Sequence, residues 1–193
     1  MSDPTTRPTG HLVATPGQTI GPFYGYALPY DGDATLVPPG HPDAIRLHGR
    51  VLDGAGNPVP DALIEIWQAD PAGRVVREPG SLHRDGFTFT GWGRCGTDNT
   101  GHYSFTTLRP GPTAPGAAAY VAVTVFARGL LNRLFTRAYL PAEESVLAGD
   151  PLLSSVDPDR RGTLVAAADE HGFAFDIRLQ GEDETVFLTY PRH

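Results

Sequence analysis

The stretch Tyr120-Val121-Ala122-Val123-Thr124-Val125-Phe126 is a nearly continuous run rich in β-branched residues. Val and Thr pack well on a pleated surface and lose rotamer freedom in a helix, so the run reads as a central strand of a sandwich. The neighbouring sequence keeps this character. Leu134 to Leu140 is a second apolar run, and between Tyr120 and Leu140 only Gly129 interrupts, with no Pro. Upstream, Ile45, Leu47 and Val51 alternate with Arg46, His48 and Arg50, and Tyr103-Ser104-Phe105-Thr106 alternates again. Ala62 to Trp67 is apolar on both faces apart from Glu65. Downstream, Phe173, Phe175, Ile177 and Leu179 alternate with Ala174, Asp176 and Arg178, and Thr185–Tyr190 closes the pattern after a Gly181-Glu182-Asp183-Glu184 turn. A period of two is the strand period.

The punctuation fits the same architecture. Asp53-Gly54-Ala55-Gly56-Asn57-Pro58 is turn chemistry, so the segments on either side are predicted to pair as a β-hairpin with a longer loop. Residues 70–100 are predicted to be a long loop with one short strand near Gly93–Thr97. Pro141, Pro151 and Pro158 delimit short helices over 141–158, and Thr163–Ala168 reads as a further strand. Seven or eight short strands separated by turns predict an all-β fold, a β-sandwich with short helices in its loops.

Composition bounds the rest. Of 193 residues, 23 are Gly and 19 are Pro, well above ordinary usage, but Leu, Ile, Val and Phe still exceed a fifth of the chain, enough for a core. Gly and Pro are concentrated in residues 1–44, which read as an extended N-terminal arm, followed by a sandwich domain over 45–193. The formal net charge is −7, and all 15 cations are Arg. With no Lys there is no Schiff-base or P-loop chemistry, and with no basic patch nucleic acid is not an expected partner. A single cysteine, Cys95, excludes internal disulfides and thiolate zinc sites. No apolar run approaches a membrane span, and Met1-Ser2-Asp3-Pro4 lacks a signal core, so no membrane association and a cytoplasmic location are expected.

Local motifs leave the chemistry open. His11, His41, His48, His83, His102, His171 and His193 are too widely spaced for a His-x-His ligand pair. Glu65 interrupts an apolar strand, so it lies either on a solvated face or against an Arg. Arg128 ends the most apolar strand beside Gly129. Its fork suits either a ligand carboxylate or a strand-end salt bridge, and the residues alone do not choose between them.

Several segments together resemble the intradiol ring-cleavage dioxygenases. They are Gly49-Arg50-Val51-Leu52-Asp53-Gly54, Ala62 to Asp70, Thr97-Asp98, Gly101 to Thr107 and Arg109-Pro110-Gly111. Thr15 to Phe23, Phe126-Ala127-Arg128-Gly129 and Asp176 to Phe187 narrow the resemblance to the alpha chains of the two-subunit members that act on protocatechuate. The resemblance spans about residues 12–190 and implies an intradiol-dioxygenase-like sandwich. It implies Fe(III) held by two Tyr and two His, with O₂ cleaving a catechol ring between its hydroxyls. In this chain the two His positions match Tyr120 and Ala122, and neither 70–100 nor 109–118 contains a Tyr. All four ligands are therefore missing. The pseudo-site is expected to be filled by apolar or aromatic side chains, with no metal on this chain and the Fe(III) in a partner beta subunit of a larger hetero-oligomer. The resemblance further implies that Thr19, Gly21, Pro22 and Phe23 line the substrate pocket and that Arg128 supplies positive charge beside it. Relatives often carry Tyr where this chain has Phe23, so Tyr24 is the alternative source of a phenol contact. Two competing readings are a self-sufficient dioxygenase with rearranged ligands and a non-enzymatic β-sandwich binding module.

Overall fold

The structure, a computed structural model, describes residues 19, 21, 23–78 and 84–190. Its strands are β1 (Ala44–Leu52), β2 (Leu63–Gln68), β3 (Trp92–Gly96), β4 (His102–Leu108), β5 (Tyr120–Phe126), β6 (Leu134–Tyr139), β7 (Ala167–Asp169), β8 (Gly172–Ala174) and β9 (Ile177–Arg178). One sheet has the order β4-β1-β8-β7, with β9 also beside β1; the other has the order β3-β2-β5-β6. Short helices α1 (Tyr24–Ala27), α2 (Glu144–Gly149), α3 (Pro151–Ser155) and α4 (Pro158–Arg161) lie in the connections.

The alternation read from the sequence builds the core. Leu47, Val51, Tyr103, Phe105, Phe175 and Ile177 of the first sheet meet Ile64, Ile66, Val121, Val123 and Val125 of the second. All of them are 0–2% exposed, and each buried side chain of this size contributes about 1.5–3 kcal/mol. A satellite cluster of Ala118, Tyr139, Leu153 and Leu164 sits under the short helices. Its polar centre is Asp150, 1% exposed. Asp150 caps α3 through Leu152 N–H and Leu153 N–H, and also accepts from Ala118 N–H (3.0 Å) and the Tyr139 hydroxyl (2.9 Å). Burial pushes its carboxyl up, but these hydrogen bonds outweigh burial and hold it below the usual carboxylate range.

Four local expectations are corrected. The segments flanking the 53–58 turn do not form a hairpin. β1 pairs with β4, β8 and β9, whereas β2 pairs with β3 and β5. Each has an apolar face, and placing them in opposite sheets turns both faces to the core. The 173–179 alternation is split into β8 and β9, both parallel to β1, because Asp176 between them turns its carboxylate onto Arg50 N–H (2.8 Å). Thr163 lies in a 3₁₀ turn (Gly162–Leu164) before β7, its hydroxyl donating to the Arg160 carbonyl. Among the described residues Thr185–Tyr190 forms a single bridge, Leu188 with Phe135. Gly49 is required where β1 meets the crossing backbone: a Cβ there would lie 2.0 Å from the Phe175 carbonyl oxygen, which also accepts from the Tyr103 hydroxyl.

Candidate functional site

The site grows from the β2–β5 pairing. Leu63 faces Phe126 in this antiparallel ladder. Continuing the register by two residues past the strand ends sets Asp61 opposite Arg128. Opposite charges at such a position attract directly. The Arg128 Nε lies 3.1 Å from Asp61 Oδ2, with the Asp61 side chain 14% exposed and the Arg128 side chain 56% exposed. The other carboxylate oxygen, Oδ1, is buried without a hydrogen-bond partner among the described residues. Gly129 follows at φ +91°, a left-handed turn that glycine adopts without strain.

Thr19 and Tyr24 are both fastened to this corner. Thr19 Oγ accepts from Gly129 N–H (2.6 Å) and donates to the Leu130 carbonyl (3.2 Å). The Tyr24 hydroxyl lies 2.7 Å from the Asp61 carbonyl and 3.0 Å from the Phe126 carbonyl, so its one proton is shared between the two strand ends. Burial, and then the Asp61 charge, push this phenol up to about 12, against the opposing pull of Arg128. Tyr24 therefore stays a neutral donor at physiological pH. Phe23 points outward at 81% exposure, joined by Tyr26 at 84%. Gly21 is exposed, with open space where a Cβ would stand. Pro22, the remaining predicted lining residue, lies outside the described residues. A cavity of about 340 Å³ opens beside Arg128, between Pro58–Pro60 and Leu179–Gln180.

The structure thus brings Thr19, Tyr24 and Arg128 to one corner. Sequence reading missed Asp61. Its only signal was the strand register, which a single sequence does not display. Glu65, whose partner was left open, is paired with Arg94 directly across β2 and β3, at 2.6 Å.

The other end of β5 holds the positions matched to the family's His ligands. The Tyr120 ring lies under the Arg137 guanidinium (4.0 Å) and against Tyr139 (5.6 Å between ring centroids). Ala122 faces Trp67 and Arg137 across the sheet and offers no donor atom. The expected filling of this pseudo-site is incomplete: a cavity of about 190 Å³ remains, walled by Trp67, Val75, Thr113, Tyr120 and Ala122. Among the described residues no group of three or more His, Cys, Asp or Glu could hold a metal ion. The donor set here does not fit ferric iron.

A family model described as Dioxygenase matches residues 19–181. The chain belongs to the intradiol dioxygenase family. It is 39% identical to the protocatechuate 3,4-dioxygenase alpha chain of Burkholderia cepacia, over 92% of this chain and 98% of that one. It is 36% identical to the beta chain from the same organism, over 93% of this chain and 85% of that one. Among solved structures, the intradiol ring-cleavage dioxygenase from Tetranychus urticae aligns with a TM-score of 0.56, covering 75% of this chain and 83% of that one at 14% identity, a likeness of fold. The two-sheet sandwich and the dioxygenase-subunit character expected from the sequence are both upheld. Intradiol dioxygenases work with iron, and the relatives named as alpha and beta chains belong to a hetero-oligomeric enzyme. No helix among the described residues is long and apolar enough to cross a membrane.

Proposed function

We propose that this chain is the iron-less alpha subunit of a protocatechuate 3,4-dioxygenase and completes a substrate site at the interface with an iron-bearing beta subunit. The overall reaction is cleavage of protocatechuate by O₂ between its two hydroxyls to 3-carboxy-cis,cis-muconate, in the β-ketoadipate route of aromatic degradation within the cytoplasm. The observation that carries this reading is the asymmetry of β5. The positions matched to the iron ligands are Tyr120 and Ala122, whereas the corner matched to the substrate wall gathers Thr19, Tyr24 and Arg128.

The chain's own share of the work is binding and orientation. Arg128 offers a fixed cation to the ring carboxylate of the substrate, through paired N–H donors that match a carboxylate's two oxygens. Thr19, Gly21, Pro22 and Phe23 are assigned to the wall of the substrate pocket, where Gly21 would keep side-chain bulk out of the way. Phe23 and Tyr26 are apolar surface of the kind a partner chain covers. Iron held by the beta chain would supply catechol activation.

Iron analysis and co-purification test the reading. The alpha chain purified alone is expected to hold no stoichiometric iron and to show no activity. Co-expression with beta should yield a stable complex carrying one iron per pair and a tyrosinate-to-iron absorption band. Stoichiometric ferric iron in the isolated chain would favour the self-sufficient enzyme instead.

A further inference from the structure

The Asp61–Arg128 pair is a poor choice for stability alone. A structural ion pair usually satisfies both carboxylate oxygens, and a buried oxygen left without a donor costs stability. The ion pair is made through Asp61 Oδ2, and Oδ1 is buried without a hydrogen-bond partner among the described residues. Such an orphaned group calls for a reason other than folding.

The geometry supplies one. A guanidinium presents five N–H donors, including those of its Nη1/Nη2 end, which can take a carboxylate bidentately. The close contact is an ion pair at Nε, 3.1 Å from Asp61 Oδ2, which leaves the hydrogen-bonding capacity of Nη1 and Nη2 unused among the described residues. The anchor itself is rigid: the Asp61 side chain is mostly buried and its carbonyl accepts from the Tyr24 hydroxyl. Arg128 is more than half exposed, and without this anchor its long side chain would sample many rotamers.

We propose that Asp61 is a positioning residue that holds the Arg128 guanidinium by Nε and leaves its Nη1/Nη2 end for the carboxylate of the substrate. This rests on the substrate role of Arg128 proposed above. Asp61 also places a negative charge near the incoming anion. That repulsion acts on a group more than half in water, where it is screened, whereas the aim of the fork is local and unscreened. Orientation is therefore expected to outweigh repulsion.

The test uses the reconstituted alpha–beta complex and two substrates, protocatechuate and catechol, the second lacking the carboxylate. Asp61→Ala should raise KM for protocatechuate about tenfold, move KM for catechol by less than about threefold, and change kcat less than KM. Asp61→Glu, which restores a carboxylate, should recover most of the loss. In an Arg128→Ala background, Asp61→Ala should add nothing further, because the two residues act as one unit. An unchanged or lowered KM for protocatechuate in Asp61→Ala overturns the proposal, as does an equal rise for both substrates. Should Arg128→Ala itself leave the protocatechuate-to-catechol KM ratio unchanged, the substrate role of Arg128 falls, and the positioning role with it. Should the Asp61→Ala complex fail to assemble, Asp61→Asn keeps the side-chain shape: a rise in that KM ratio of about threefold supports the proposal, and an unchanged or lower ratio overturns it.

Discussion

At the start of β5, Tyr120 and Ala122 border a shallow cavity walled by Trp67 and Val75; at its end, Arg128 is tied to Asp61, and Thr19 and Tyr24 are fastened around it. Between these ends the same strand contributes Val121, Val123 and Val125 to the core. The strand is thus a rigid bar whose middle is dictated by packing and whose ends are free to carry different chemistry. One end has aromatic and methyl groups where the family's iron ligands would be. The other has a charge pair with an orphaned oxygen. Packing explains the first arrangement and does not explain the second.

The contrast can be broken most severely at the start of the strand. Asp150 holds Ala118 N–H just ahead of β5 and the hydroxyl of Tyr139, the cross-strand neighbour of Tyr120. Asp150→Ala removes a helix cap and leaves buried donors unpaired, an expected loss of about 3 kcal/mol. A melting curve should fall by roughly 6–12 °C, while KM for protocatechuate in any surviving complex stays put. The same residue sets a pH dependence. Its folded pKa lies below that of an ordinary carboxylate, so its stabilisation is complete above the ordinary value and is lost as pH falls through the lower folded one. Urea midpoints of wild type and Asp150→Ala should therefore differ fully at neutral pH and converge in acid.

At the other end the expected signature is functional. Arg128→Ala should lower kcat/KM for protocatechuate about tenfold, near 1.4 kcal/mol in transition-state terms, and a loss under about 0.5 kcal/mol would remove Arg128 from the substrate role. Tyr24→Phe deletes a donor shared by two carbonyls and should cost about 1 kcal/mol. Amide exchange at Gly129, whose N–H is covered by Thr19, should quicken in that variant if Tyr24 and Thr19 hold the corner together. The smallest effect is expected at Tyr120→Leu, which loses the stacked Arg137 contact, worth about 0.5–1 kcal/mol. Turnover of the complex should not change, and a large fall in kcat would give the pseudo-site a role that its side chains do not suggest.

Much of this was legible because it is local. The run at 120–126 and the alternation at 45–51 and 103–106 are properties of neighbouring residues, and they emerge as β5, β1 and β4. Arg128 at a strand end beside Gly129 was visible for the same reason. What stayed hidden depends on pairing. Asp61 gains meaning only when β2 is set against β5, and nothing in Pro60-Asp61-Ala62 announces that register. The supposed hairpin failed because a turn motif marks a reversal without stating which sheet each arm joins. Phe23 and Tyr24 are adjacent and chemically similar, and only the partners of the Tyr24 hydroxyl separate the outward ring from the inward anchor.

The first sheet carries a consequence for synthesis of the chain. Its β1, at residues 44–52, pairs with β8 and β9, at residues 172–178. During translation that strand leaves the ribosome long before its late neighbours exist. The second sheet draws all its strands from residues 63–139 and is complete much earlier. Pairings this distant in sequence are slow to close, and an open strand edge is a place for wrong contacts. The nascent protein should therefore pass through a stage with one finished sheet and one unfinished, and its yield in cells should depend on how quickly the last few dozen residues arrive.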